Sequence, residues 1–157
     1  MIILDSTESN AIRSNYINKF INTSSCYYKE NIEQTVLFSD GLCYVGYLWD
    51  CFLNPIVISE YKADQLLKGK NGIYIMWDIH SCERILTPDY WKFPKSAVLY
   101  TDTWSEIPKD DLPEDVYVFD ATFRWSIIYT HETDEKDTRF CLCVDNSTTN
   151  FFGDSII

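Results

Sequence analysis

The stretch from Asp115 to Glu132, Asp-Val-Tyr-Val-Phe-Asp-Ala-Thr-Phe-Arg-Trp-Ser-Ile-Ile-Tyr-Thr-His-Glu, constrains the fold more than any other part of the chain, because β-branched and aromatic residues fill it almost without interruption. It reads as two strands and a tight turn. Val116, Tyr117, Val118 and Phe119 are apolar at successive positions, and successive side chains of a strand point to opposite faces, so this strand belongs inside a sheet covered on both sides. In the second strand Phe123, Trp125, Ile127 and Tyr129 point one way. Arg124, Ser126, Thr130 and Glu132 point the other, with Ile128 the apolar exception, which predicts one core face and one mostly wet face. Asp120-Ala-Thr-Phe123 supplies the connection, its aspartate opening a turn by accepting from a backbone N–H two residues on.

Around this hairpin the 157 residues fit a single domain, 1–157, large enough to bury a core without staples. An i, i+4, i+8 stripe of Ile12, Tyr16 and Phe20 predicts an amphipathic helix over residues 7 to 21, with Thr7 or Ser9 as its cap. Gln34 to Phe38 reads as a short strand before the Asp40-Gly41 turn, and the apolar run from Leu42 to Leu53 as a buried strand. Ser59 caps a helix through Lys68 that turns Ala63, Leu66 and Leu67 inward and closes at Gly69, and Ile73 to Ile79 returns as a strand. Residues 81 to 114 read as irregular, broken by Pro88, Pro94, Pro108 and Pro113. Thr133 to Thr138 is a polar turn, Arg139 to Val144 a last strand, and Asn146 begins a frayed end. The expected fold is α+β, with a mainly antiparallel sheet, mixed pairing left open, and helices on one face.

The chemistry-bearing residues are few. His80 and His131 have acids nearby in sequence, Asp78 and Glu83 for one and Glu132 and Asp134 for the other, but neither matches a metal-site spacing, and a hydrogen-bonded structural role is the commoner fate. Cys141 and Cys143 share one strand face, too far apart for an easy disulfide, and the six cysteines, without Cys-x-x-Cys spacing, are expected reduced and mostly buried. With five glycines and no Gly-rich phosphate loop, no cofactor is expected, and no metal. The N-terminus has neither a cationic leader nor a long apolar run, so the expected compartment is the cytoplasm.

Charge is more informative. Twenty-four acids against thirteen bases give −11, which disfavours nucleic acid and anionic membranes and favours a basic protein partner. The acids gather in two runs, Asp102, Glu106, Asp110, Asp111, Glu114 and Asp115 before the hairpin and Glu132, Asp134, Glu135 and Asp137 after it. A solvated surface is the ordinary meaning of such runs. The sharper one is a docking surface, with Tyr90, Trp91, Phe93 and Trp104 of the irregular segment as aromatic anchors beside the acids.

Tyr47-Leu48-Trp49-Asp50, Ala63 and Leu66, Asp115-Val-Tyr-Val-Phe-Asp120, Phe123-x-Trp125 and Thr130-His131-Glu132 together resemble an uncharacterised bacterial family of small acidic proteins. They also look like the immunity proteins of contact-dependent growth inhibition and related polymorphic-toxin systems, over roughly residues 43 to 145. That resemblance implies a cytoplasmic antitoxin that binds one cognate toxin domain, commonly a nuclease, and has no activity of its own; apart from that partner the chain is expected to be a monomer. It transfers no interface residue. The rival readings are a small enzyme using His131 with Glu132 or Asp120, and a structural or adaptor protein.

Overall fold

The computed structural model describes residues 1–38, 41–79 and 95–146. Its strands are β1 (Ile2–Ile3), β2 (Val36–Phe38), β3 (Gly41–Cys43), β4 (Ile56–Ser59), β5 (Asn71–Trp77), β6 (Leu99–Thr103), β7 (Val116–Asp120), β8 (Trp125–Thr133) and β9 (Arg139–Asp145). The helices are α1 (Ser6–Phe20), α2 (Cys26–Asn31) and α3 (Glu60–Leu67). Seven strands form one sheet in the order β1-β6-β5-β7-β8-β9-β4, every pairing antiparallel, and β2 and β3 form a separate hairpin. The fold is α+β, with a mainly antiparallel sheet.

β7 is the fourth of the seven strands, and its position follows from its sequence. Val116 and Val118 enter one core layer with Ile73, Ile75, Ile127 and Cys141, while Tyr117 and Phe119 enter the other with Met76, Ile128 and Leu142. A strand apolar on both sides needs cover on both sides. The helices accordingly lie on both faces of the sheet and not on one, with Tyr16 and Phe20 of α1 in the second layer and Ala63 and Leu67 of α3 in the first. The same cover overturns the expected wet face of β8. Ser126 and Thr130 have no exposed surface, because Tyr16 Oη of α1 sits 2.6 Å from Ser126 Oγ and Thr130 Oγ1 donates to the Phe140 carbonyl at 2.9 Å.

The long helix starts where expected, but its cap is Asp5, whose carboxylate accepts from Glu8 N at 2.9 Å. Ser9 lies inside the helix, buried, and accepts from Val98 N at 3.0 Å, tying α1 to the chain entering β6. The run from Leu42 to Leu53 is not a strand. β3 ends at Cys43, Gly46 passes too close to the Tyr27 hydroxyl for a Cβ, and Leu48–Cys51 is a 3-10 turn whose Leu48 and Cys51 plug the layer under α1. The irregular segment contains a full sheet strand, β6, beside β5. β4 and β5 are not neighbours, since β4 lies at the far edge against β9 and α3 carries the chain back across one face.

Candidate functional site

Cap chemistry and an i, i+4 spacing set the first part of the site. Ser59 Oγ accepts from Lys62 N at 3.2 Å to start α3, and with Ala63 and Leu67 turned into the core, Glu60 and Asp64 fall on one side a turn apart. Opposite them, Trp104–Glu106 and Lys109–Asp111 form two short 3-10 turns, with Trp104 and Ile107 buried. Tyr129 of β8 stands between. Its hydroxyl donates to Asp64 Oδ1 at 2.6 Å, and its ring stacks on Trp104 at 5.3 Å and 20°. Lys109 Nζ lies 5.2 Å from the ring centroid and the Arg139 guanidinium 5.7 Å. Burial first, and then the bond to Asp64 and its charge, hold the phenol well above its usual titration range, so it stays a neutral donor. Lys109 Nζ is 2.5 Å from both Asp64 oxygens and 3.8 Å from Glu60 Oε1. A cleft of about 550 Å³ opens beside this cluster, lined among others by Leu67, Thr103, Trp104, Ser105 and Ile107.

Long-range bonds bring the two acidic runs to one end of the sheet. Arg139 donates through Nε to the Thr130 carbonyl at 2.5 Å and through Nη2 to the Glu114 carbonyl, joining β9 to the segment that enters β7. The Asp115 carboxylate accepts from His131 N at 2.9 Å. Asp134 closes the β8–β9 turn by accepting from Lys136 N at 2.8 Å and Thr138 N at 2.9 Å. Asp110 and Glu114, and Glu132, Asp134 and Glu135, are exposed there, with Asp111 half-buried, while Glu106 is exposed nearer the other end, 3.5 Å from Thr101 Oγ1 of β6. Asp102 is exposed but separate. It alternates with Thr101 and Thr103 on β6 and follows Tyr100, whose ring lies 5.6 Å from Tyr74 on the α1 side, so it points away from the cleft. Trp104 is not an exposed anchor, because the Tyr129 stack and the core leave only 8% of it accessible. Tyr90, Trp91 and Phe93 lie outside the described residues, as do His80 and Cys82.

His131 has a different partner from those expected. Its Nδ1 lies 3.0 and 2.9 Å from the two oxygens of Asp115, a residue 1% exposed, while Nε2 lies 3.8 Å from Glu132 and the ring packs at 4.8 Å against Tyr47 and 6.0 Å against Trp49. Asp120 is at the opposite end of β7, where it accepts from Trp125 Nε1 at 2.8 Å. A carboxylate on Nδ1 fixes the ring and leaves Nε2 as the basic nitrogen. Next to this pair Asp78, without exposed surface, accepts from Leu48 N at 3.2 Å and Tyr117 Oη at 2.6 Å, and its burial raises the carboxyl to about 7.

Sequence reasoning missed Tyr129, Asp64, Lys109 and Arg139 as one cluster, and Asp115 as the partner of His131. No local signal marks the first group, since Asp64 and Tyr129 are 65 positions apart. Among the described residues no three His, Cys, Asp or Glu side chains gather into a metal-holding group, and no helix is long and apolar enough to cross a membrane. No protein-family model, curated protein or solved structure matches the chain.

Proposed function

We propose that this chain is an immunity-type protein of the cytoplasm, which binds and neutralises a basic toxin domain without turnover of its own. One observation carries the reading: two acidic runs separated in sequence meet at one end of the sheet, where Arg139 and His131 tie Glu114 and Asp115 to the strands that carry the second run, and a cleft with an apolar floor opens along the neighbouring face. Complementary charge speeds encounter and fixes orientation, and apolar contacts inside the cleft slow release. The resemblance of the Thr130-His131-Glu132 and Asp115–Asp120 blocks to immunity proteins points the same way. The test is surface plasmon resonance against the C-terminal domain of the protein encoded immediately upstream, paired with rescue of growth in cells expressing that domain. Nanomolar binding with rescue is expected, and absence of both rejects the reading.

A second reading, a small enzyme, is favoured by the hold of buried Asp115 on His131 Nδ1. It requires His131→Ala to abolish the protein's effect in cells while leaving partner affinity intact. The immunity reading predicts that rescue and affinity move together in that variant.

A further inference from the structure

This inference rests on the reading that the acidic surface of the chain receives a basic protein, and it names what enters. We propose that the cleft between α3 and Thr103–Lys109 is the receptor for an arginine side chain of that partner, and that Lys109 occupies the charged end of it until the partner arrives.

The cluster already binds a cation. Two carboxylates, Glu60 and Asp64, and the face of an aromatic ring, Tyr129, surround the Lys109 ammonium. The hold on Lys109 is weak, because its side chain is 39% exposed and those of Glu60 and Asp64 are 37% and 35% exposed, and ion pairs so open to water are screened. Lys109 sits on a three-residue turn with no buried residue, so it can leave by side-chain rotation without disturbing the core. Of the other nearby cations, Arg139 is committed to the carbonyls of Thr130 and Glu114, and Lys68 lines the cleft past the end of α3, beyond the Glu60–Asp64 pair.

The cleft favours guanidinium over ammonium. Its floor of Leu67, Trp104 and Ile107 suits the aliphatic stem of a long basic side chain, whose charged tip then reaches Asp64. A planar guanidinium can engage both oxygens of a carboxylate and stack on an aromatic face, whereas an ammonium acts as a point charge. Glu106 and Asp110, exposed on the two neighbouring turns, favour a cationic visitor and oppose an anionic one.

The experiment titrates acetyl-arginine amide into the full chain and follows the Trp104 indole N–H by NMR, with acetyl-norleucine amide as the uncharged control. Lys109→Met keeps the stem and removes the competing charge, so it should bind the arginine probe about fivefold more tightly than wild type, the factor expected for loss of one weak surface ion pair. Asp64→Asn on that background should return binding to the wild-type level or below. Equal affinity in wild type and Lys109→Met, or indifference to Asp64→Asn, overturns the proposal. In the wild-type chain, which does not depend on any variant folding, the ring-current shift of the Lys109 side chain over Tyr129 should disappear as the probe binds. A Trp104 shift that leaves Lys109 in place also overturns it. Absence of arginine binding alongside intact toxin-domain binding rejects the cleft and spares the immunity reading. Saturable arginine binding in a protein that binds no toxin domain supports the cleft's chemistry and rejects the immunity reading.

Discussion

Asp78 is a fully buried acid whose environment opposes its charge. Burial is the dominant cause, the neighbouring Asp115 adds to it, and the bonds from Tyr117 and Leu48 and the field of Arg13 offset only part, so the carboxyl rises from 3.8 to about 7. The folded protein therefore keeps this proton where the unfolded chain has lost it, and the contribution of Asp78 to stability is full below about pH 4 and declines until about pH 7. Asp78→Asn removes that slope. In urea melts at pH 4, 5.5 and 7.5, the stability of wild type relative to Asp78→Asn should fall with rising pH by about 2 to 4 kcal/mol, and a difference that does not change with pH refutes the assignment. Trp125 has no exposed surface, and its indole N–H is bound to Asp120. Its truncation to Ala leaves a cavity and should cost about 3 to 5 kcal/mol by denaturant melt.

Among the elements, the β7–β8 turn joins local chemistry to the core. Asp120 Oδ1 accepts from Thr122 N at 2.9 Å and Thr122 Oγ1 at 2.5 Å, while Oδ2 holds Trp125. Phe123 takes a left-handed φ of 51°, kept in place by packing at 5.5 Å on Phe119. Asp120→Ala should therefore cost about 1.5 to 3 kcal/mol, more than loss of one turn bond, because the buried indole N–H of Trp125 also loses its acceptor. A loss below about 0.5 kcal/mol would show that water replaces the carboxylate. α3 was legible for a similar reason, since Ser59, the inward Ala63 and Leu67, and Gly69 at φ 81° act within a few residues of one another. The Leu42–Leu53 run was not legible. Its residues are apolar for unrelated reasons, Leu48 and Cys51 as plugs beneath α1 and Leu42, Val45 and Leu53 as exposed surface, and composition alone does not separate these.

For the molecule as a whole, the net charge of −11 acts through its distribution. Asp110, Asp111 and Glu114 share one end of the sheet with Glu132, Asp134 and Glu135, so their fields add and are screened together by salt. Association with a basic toxin domain should slow markedly between about 50 and 500 mM salt. Neutralising Asp110, Asp111 and Glu114 together to Asn, Asn and Gln should lower the association rate more than it raises dissociation, whereas Asp102→Asn, on the opposite face, should change neither. Surface plasmon resonance measures both rates, and salt-independent association with intact growth rescue would place the interface away from these acids.

The sequence by itself determined whatever depends on residues close along the chain: the α1 and α3 helices, the Asp120 and Asp134 turns, the two-sided burial of β7, the shared face of Cys141 and Cys143, and the acidic balance. Caps, turns and periodicity act over a few residues, and net charge is indifferent to fold. Only the tertiary structure decided that β6 enters the sheet beside β5, that helices cover both faces, that Trp104 is a core residue stacked on Tyr129, and that His131 belongs to Asp115. It alone brought Lys109 and Tyr129 to Asp64, since each of these pairings joins residues whose closeness is fixed by strand order, and an antiparallel ladder can assemble the same strand sequences in more than one order.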